Sequence, residues 1–366
     1  MNAPGSQGME RRNPFTATAG QDIRLLLDLS LWYQWNQERG SLPDRWKGMD
    51  LRGICADLRI PFWNVVRAYR TEYAPGAREE IILEDTAKIR RWETKLGSIE
   101  GRWTRGPDGD WWQTEYPVKS VEDIPIALEA ARARTYAIAD PGTPARTSDA
   151  KDSPTITALE LPMHPYSEVL HSFLGWTEGF YIQSDAPDEI GELIAVLEDK
   201  RLDLAKRLAA HPMGQAASCF LSPDNLDGRF ISPNTFSGEL SPGYAALGSI
   251  AHGADKALVV HAGGTLAGLL PLLAEAGVDC VEGVAPTPQG DTALAEARSL
   301  SGPGMILWGG IPQDFLLPSS SEADFEAALE RTLSEVQADH SLIAGVADRV
   351  PPDAIEERLL RLTTLR

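Results

Sequence analysis

The chain has 366 residues, of which 43% are hydrophobic and 24% are charged, and its formal net charge is −19. This composition predicts a soluble globular protein, and no apolar run is long enough to cross a bilayer. The excess of carboxylates makes nucleic acid an unfavourable partner, because nonspecific binding to phosphate backbones depends on Lys and Arg. The three cysteines are scattered and form no Cys-x-x-Cys pair, so neither a disulfide framework nor a zinc ribbon is indicated.

Residues 1–21 are polar and contain no apolar stretch of secretory length, which predicts a flexible leader and a cytoplasmic location. Residues 22–366 are predicted to form one domain. An apolar run at residues 23–30 is the best first strand, although it also fits a helix. For the second strand, residues 59–63 and 180–183 compete.

A hairpin insertion is predicted at residues 97–118. Two alternating runs, 98–104 and 111–118, flank the sequence Gly-Pro-Asp-Gly-Asp at 106–110, which is strong turn chemistry. Residues 139–154 are rich in small and polar residues and predict a loop.

From residue 152 onwards, short apolar runs alternate with amphipathic stretches, as strands and helices do in a parallel α/β fold. The sequence therefore predicts a (β/α)8 barrel, with six strands visible in this half. The predicted strands span residues 156–161, 216–221, 257–261, 279–284, 305–308 and 342–346. The predicted helices span residues 188–208, 235–252, 266–276, 292–300, 322–335 and 352–362.

Polar residues at the carboxyl ends of barrel strands face the end where active sites are built. His261 and Glu282 end neighbouring strands, and a carboxylate beside an imidazole orients it, tunes its pKa or shares a metal ion with it. Asp224 and Asn225 follow another strand. We therefore predict His261, Glu282 and Asp224 as catalytic residues and Asn225 as a substrate contact, with His261 and Glu282 as candidate metal ligands. The alternatives are a histidine that only caps its strand and two ordinary turn residues.

Aromatic residues are concentrated in the first third of the chain. Trp32 and Tyr33, together with Trp308 on a later strand, are predicted to contact a flat or methylated-ammonium substrate. Packing of an insertion that lacks its own core is the alternative for most of these aromatics. Nucleotide-binding glycine loops, Gly-x-Ser-x-Gly and His-Glu-x-x-His are absent, which argues against Rossmann enzymes, serine hydrolases and zincins.

Several segments, in this order, resemble the uroporphyrinogen decarboxylase-like superfamily, which includes corrinoid-dependent methyltransferases. They are residues 222–228 (Ser-Pro-Asp-Asn-Leu-Asp-Gly), 231–236, 242–244, 260–264 (Val-His-Ala-Gly-Gly), 277–279, 286–291 and 307–312. The resemblance implies a distorted (β/α)8 barrel with its site at the carboxyl-terminal mouth, and some relatives form homodimers.

Two departures from the family pattern limit what the resemblance implies. Residues 31–36 read Leu-Trp-Tyr-Gln-Trp-Asn where the decarboxylase has an arginine-containing run that holds propionates, which makes a porphyrinogen substrate improbable. Gly263 stands where the zinc-dependent methyltransferases have their first thiolate, and residues 344–348 contain no cysteine. The sulfur-ligated zinc site is therefore lost, although His261, Glu282 and Asp348 could still hold zinc or another divalent metal.

The resemblance favours a methyltransferase that demethylates a small compound, an aryl methyl ether or a methylamine, and passes the methyl group to a corrinoid protein. The alternative is a lyase that decarboxylates a small acid held by Arg229 or Arg349. A third class, a non-catalytic binding barrel, remains open because fold alone does not fix function.

Overall fold

A computed structural model describes Phe15 and residues 23–106, 111–139 and 154–366. The thirteen strands of the described residues are, in chain order, β1 (Phe62–Val66), β2 (Tyr69–Tyr73), β3 (Ala77–Leu83), β4 (Ala87–Thr94), β5 (Gly97–Arg105), β6 (Trp111–Glu115), β7 (Arg134–Ile138), β8 (Thr155–Glu160), β9 (Cys219–Leu226), β10 (Ala257–Ala262), β11 (Cys280–Val284), β12 (Ile306–Ile311) and β13 (Leu342–Val346).

The α-helices of the same ranges are α1 (Ser30–Arg39), α2 (Leu51–Leu58), α3 (Ile124–Ala133), α4 (Pro165–Glu168), α5 (Glu178–Asp185), α6 (Pro187–Ala210), α7 (Pro212–Ala216), α8 (Pro233–Thr235), α9 (Ser241–Gly253), α10 (Leu270–Glu275), α11 (Leu294–Ser301), α12 (Glu322–Ala338) and α13 (Glu356–Leu362). Two π-helical segments, Val169–Leu174 and Phe236–Leu240, follow α4 and α8 directly. No helix of the described ranges is both long enough and apolar enough to cross a membrane.

The helices begin at residues suited to that position. Ser321 caps α12 by accepting a hydrogen bond from the backbone N–H of Asp324 at 3.1 Å. The 24-residue helix α6 starts with Pro187, followed by Asp188 and Glu189 in its first turn. Proline has a backbone conformation that suits the first helical position. Carboxylates in the first turn interact favourably with the positive end of the helix dipole.

The chain divides into two compact units, of which the first comprises Met1–Val66, Pro144–Glu160 and Gln215–Arg366. Its described part contains a seven-stranded parallel sheet in the order β1-β8-β9-β10-β11-β12-β13. The six strands predicted after residue 152 are all present, and β1 settles the choice between the two second-strand candidates. The predicted first strand forms only a parallel bridge between Leu25 and Ala344 on β13, so the structure shows a curled parallel sheet rather than a closed eight-stranded barrel.

A contact between two tryptophans shows that this sheet is curled. Trp63 lies on β1 and Trp308 on β12, five strands apart, yet their ring centroids are 5.1 Å apart in an edge-to-face contact. Two strands so far apart can meet only if the sheet bends round on itself. The concave face is a packed core to which every strand contributes, and its members are Phe15, Ile23, Leu26, Trp63, Ile156, Ala158, Cys219, Leu221, Ala257, Val259, Cys280, Ile306, Trp308 and Ile343.

The second unit comprises Arg67–Thr143 and Leu161–Gly214. It holds an antiparallel pair, β2 and β7, an antiparallel sheet in the order β3-β4-β5-β6, and the helices α3 to α6 with the first residues of α7. The predicted hairpin at 97–118 is present as β5 and β6, but it is half of a larger sheet inside a separate unit, whereas the sequence predicted one domain with a hairpin insertion. Residues 180–183, the other second-strand candidate, belong to helix α5. The predicted leader, apart from Phe15, and most of the predicted loop at 139–154 lie outside the described residues.

Candidate active site

A cavity of about 540 Å³ opens at the carboxyl ends of the parallel strands in the first unit. This is the end at which α/β barrels place their active sites, as the sequence predicted. Every strand of the sheet, or the loop that follows it, contributes to the wall. The lining residues are Asp28, Ser30, Trp63, Val65, Glu160, Leu221, Pro223, Asn225, His261, Glu282, Trp308, Asp348 and Arg349.

His261 and Glu282 form a hydrogen-bonded pair in this cavity. They are register partners on β10 and β11, so their side chains emerge side by side, and Nδ1 of His261 contacts Oε2 of Glu282. The other carboxylate oxygen, Oε1, accepts a hydrogen bond from the backbone N–H of Asp348 at 3.2 Å. The carboxylate is therefore held at both oxygens, which fixes the orientation of the imidazole beside it.

The strands that carry the pair depart from regular geometry at the same level. The register between β9 and β10 shifts between Val260 and Ala262, and that between β11 and β12 shifts between Glu282 and Val284. Gly283, inside the second irregularity, has a φ of 101°, and a Cβ there would lie 1.7 Å from the carbonyl oxygen of Ala262. Only glycine fits at this point, and irregularities of this kind re-aim side chains near active sites.

Two further lining residues adopt left-handed backbone conformations. Asn225 has a φ of 49° and Asp348 a φ of 69°. Asn and Asp tolerate this region better than other non-glycine residues, but it still costs free energy of the order of 1 kcal/mol or more. Such strain tends to be retained where it positions a functional group, and both residues here face the cavity.

The surroundings of His261 determine its charge. Burial opposes protonation, but the adjacent carboxylate of Glu282, supported by Asp348, outweighs it and raises the pKa of His261 to about 9. Oδ1 of Asp348 lies 3.9 Å from Nε2 of His261. Burial also raises the pKa of Glu282, while His261 acts in the opposite direction. The pair therefore retains a proton at neutral pH.

With Nδ1 engaged by Glu282, the other ring nitrogen of His261 is the one available to a ligand. Nε2 makes no hydrogen bond within the described part of the chain, because Asp348 lies beyond hydrogen-bond distance. The His261 side chain is 21% exposed. A protonated imidazole in this position can donate a proton to a bound molecule.

Of the other residues predicted from the sequence, Asn225 and Trp308 line the cavity and Asp224 does not. Asp224 is fully buried, and its Oδ2 accepts a hydrogen bond from the hydroxyl of Tyr244 on α9 at 2.6 Å. Side chains alternate along a strand, so Leu221, Pro223 and Asn225 face the cavity while Asp224 faces the helices. Asp224, which the sequence predicted as a catalytic residue, therefore does not line the cavity that contains His261 and Glu282.

Trp32 and Tyr33 are also placed elsewhere. Trp32 is 2% exposed and packs edge-on against Trp46, at a centroid distance of 5.5 Å, beside a separate groove. The Tyr33 hydroxyl donates to the backbone carbonyl of Met49 at 3.2 Å in a third depression. Neither residue lines the cavity that contains His261, so the structure does not support them as substrate contacts there.

The sequence reasoning missed two carboxylates of the cavity, Asp28 and Glu160. Glu160 is the last residue of β8, and Asp28 follows the segment that bridges to β13. Both are polar residues near the carboxyl end of a predicted strand, which is the pattern that identified His261 and Glu282, so the sequence could have indicated them. Arg349, in the loop after β13, also lines the cavity, and its Nε lies 3.3 Å from Oδ1 of Asp348.

The donor set does not fit the metal ion suggested by the sequence. Within residues 23–106, 111–139 and 154–366, no group of three or more His, Cys, Asp and Glu side chains is arranged to hold one. Nδ1 of His261 faces Glu282 as a hydrogen-bond partner rather than as a second ligand. We therefore derive no chemical step through a metal ion bound by these residues.

The similarity of this chain to the known proteins compared with it is low. No protein-family model matches the chain, and no curated protein matches it. Among solved structures, the chain is similar to a methyltransferase from Methanosarcina mazei, with 16% sequence identity, coverage of 70% of this chain and 71% of that chain, and a TM-score of 0.48. A similarity of this size carries no conclusion about function.

Proposed function

We propose that this protein is a methyltransferase that removes a methyl group from a small methylated compound, with a corrinoid on a partner protein as the acceptor. The observation that carries the proposal is the proton-retaining pair of His261 and Glu282 in a cavity of small-molecule size. The sequence resemblance to corrinoid-dependent methyltransferases supplies the acceptor. The corrinoid would provide a cobalt nucleophile that accepts the methyl group.

The role of His261 is that of a general acid. When the bond between the methyl carbon and its oxygen or nitrogen breaks, both electrons remain on the heteroatom, which becomes basic. Nε2–H of His261 would donate its proton to that atom and make it a better leaving group. Glu282 would stabilise the charged imidazole before the transfer and hold its orientation.

The charge of the cavity favours a neutral or cationic substrate. Its described lining includes four carboxylates, on Asp28, Glu160, Glu282 and Asp348, against the two cations Arg349 and His261. Both cations already contact carboxylates of the same set. An aryl methyl ether or a methylamine is therefore favoured over a carboxylic acid.

The same charges weigh against the alternative, decarboxylation of a small acid. An anionic substrate would have to compete with Asp348 for Arg349 and would lie in a cavity whose described lining has more carboxylates than cations. Arg229, the other cation considered from sequence, is paired with Asp227 and does not line the cavity. No observation favours decarboxylation over methyl transfer.

The test is a demethylation assay with a reduced corrinoid protein and a panel of aryl methyl ethers and methylamines, with the demethylated product measured by mass spectrometry. We expect product with wild type and a loss of about a hundredfold or more in His261→Gln, the usual scale for removal of a general acid. His211→Gln is the matched control, because His211 caps α6 outside the cavity.

Two outcomes would contradict the proposal. Release of carbon dioxide from a small acid, dependent on His261, would identify a lyase. Unchanged turnover in His261→Gln and in Glu282→Gln would show that the pair is not the catalytic group. If no substrate of either kind reacts but ligands bind, a non-catalytic binding protein becomes the better description.

A further inference from the structure

The second unit contains a cavity of its own, which the proposed function does not use. Its volume is about 510 Å³, and it is lined by Arg67, Thr71, Tyr73, Glu79, Ile81, Lys88 and Arg90. Thr71 and Tyr73 lie on β2, while the residues from Glu79 onwards lie on β3 and β4. The cavity is thus formed where the two-stranded and the four-stranded sheets of this unit meet.

Glu79, the one carboxylate in the described lining of this cavity, is hydrogen-bonded at both oxygens. Oε1 of Glu79 accepts a hydrogen bond from Nε of Arg90 at 2.7 Å, and Oε2 accepts one from the Tyr73 hydroxyl at 3.0 Å. That hydroxyl in turn accepts a hydrogen bond from Nε1 of Trp92 at 3.1 Å. Glu79 and Arg90 therefore offset each other's charge.

Lys88 also lines the cavity, but it is not part of the hydrogen-bond network around Glu79. Its ammonium group lies 5.0 Å from the ring centroid of Trp103 and 5.7 Å from that of Trp111, and it makes no ion pair within the described residues. Burial, together with the neighbouring charge of Arg90, lowers the pKa of Lys88. Arg67 adds a further positive charge at the cavity edge. Among the described lining residues the cations Arg67, Lys88 and Arg90 thus outnumber the carboxylate Glu79, in a chain whose formal net charge is −19.

The rim beside these cations is apolar. Ile81 and Leu83 on β3 are 58% and 70% exposed, and Ile81 lines the cavity. In the register of β3 and β4, Ile81 is paired with Arg90 and Leu83 with Lys88, so each apolar side chain stands beside a cation on the same face. An apolar group on a ligand would cover this exposed surface while its charged group meets the cations.

From this arrangement we infer that the second unit binds a small organic anion, a carboxylate, sulfonate or phosphate attached to a flat apolar group. The charged group lies against Lys88 and Arg67, and the apolar group covers Ile81 and the Tyr73 ring. Charge complementarity gives the preference for an anion, and the exposed side chains of β3 give the preference for an apolar body. The site is separate from the cavity of His261, and its existence does not depend on the proposed methyl transfer.

The experiment is isothermal titration of the full chain with naphthalene sulfonate and, as a matched cation of the same shape, naphthylmethylammonium. We expect the sulfonate to bind more tightly and its affinity to fall as salt is added. Lys88→Gln and Arg67→Gln should each weaken sulfonate binding by about tenfold, as expected for loss of a charge-assisted contact. Lys95→Gln is the control, because Lys95 belongs to the same unit but pairs with Glu129 outside the cavity.

Three results would overturn the inference. The first is equal or weaker binding of the sulfonate relative to the ammonium compound. The second is equal weakening by Lys88→Gln and Lys95→Gln, which would show an effect of net charge only. The third is unchanged affinity in Arg67→Gln. This variant also tests the inference if Lys88→Gln fails to fold, because Arg67 is exposed and lies in the connection between β1 and β2, outside both sheets.

Discussion

The backbone N–H of Asp348 donates a hydrogen bond to Oε1 of Glu282 at 3.2 Å, and this contact ties the loop after β13 to the carboxylate on β11. The side chain of the same residue lies 3.9 Å from Nε2 of His261. Asp348 thus acts on both members of the pair, through its main chain on one and through its charge on the other. Its left-handed backbone, with a φ of 69°, allows both contacts.

Replacing Asp348 by Asn separates these two effects. Asparagine tolerates the left-handed conformation, so the hydrogen bond to Glu282 should persist. The charge that helps to raise the pKa of His261 is lost, and we expect this pKa to fall from about 9 towards its ordinary value. NMR titration of the His261 ring checks this, and an unchanged titration would show that Asp348 exerts no charge effect. Asp353→Asn, outside the cavity of His261, is the control for a change of charge.

The pair should stabilise the fold in a pH-dependent way. The pKa of His261 is raised from 6.5 to about 9, so the folded state holds the proton more tightly than the unfolded chain. This contribution is fully present below a pH of about 6.5 and is lost as the pH rises through about 9. The raised pKa of Glu282 acts in the same direction.

Chemical denaturation of wild type and His261→Gln across this pH range measures the effect. We expect the difference in the free energy of unfolding between the two proteins to shrink as the pH increases. A difference that grows with pH would mean that the folded state binds the proton of His261 less tightly than the unfolded chain does. Glu282→Gln should remove the same pH dependence, because it removes the partner that holds the proton.

The contact between Tyr244 and Asp224 is predicted to be structural. Tyr244→Phe keeps the ring that stacks on Phe236 but deletes the hydroxyl that donates to Asp224 at 2.6 Å. We expect a loss of about 1 to 3 kcal/mol in the free energy of unfolding, measured by denaturant titration. Ligand binding in the cavity of His261 should be retained at a temperature where the variant is folded. Loss of binding or turnover without loss of stability would instead assign Asp224 a role in the reaction.

The effects on stability of replacing Trp63 and Trp308, which both line the cavity of His261, should be coupled. Trp63→Ala removes a large buried ring, and we expect a cost of about 3 to 5 kcal/mol in the free energy of unfolding. Trp308→Phe also removes the hydrogen bond from Nε1 to the carbonyl of Leu26, which is 2.9 Å long. A double-mutant cycle should give a coupling of about 0.5 to 1.5 kcal/mol for the edge-to-face pair. Additive effects would show that this ring contact contributes nothing beyond burial.

The strands of the first unit could be predicted because each is a short apolar run that ends in a polar residue. The neighbourhood of His261 and Glu282 follows from the same pattern, since consecutive parallel strands place their ends together. For Asp224, the sequence pattern placed the residue near the strand end but did not give the side of the strand that it faces. The side of the strand on which it falls is set by Leu221, whose apolar side chain faces inward, and counting by two from Leu221 reaches Asn225 and passes over Asp224.

The second unit could not be recognised from its sequence in the same way. Strand β3 reads Ala-Arg-Glu-Glu-Ile-Ile-Leu, and its apolar residues are not confined to alternate positions. It pairs with β4 along its whole length and carries cross-strand ion pairs such as Arg78 with Glu93, 2.7 Å apart, whose partners are distant in the sequence. Pairings of that kind become visible only when the register of β3 and β4 is known.

Gly283 has a consequence for anyone who wishes to redesign the cavity. Because a side chain there would collide with the carbonyl of Ala262, the separation between β10 and β11 at this level is set by main-chain contact. A library that varies Val65, Leu221 or Asn225 would reshape the walls while leaving the imidazole and its carboxylate in place. One that varies Gly283 would move the acid itself, so substrate range and acid strength can be tuned at different positions of the chain.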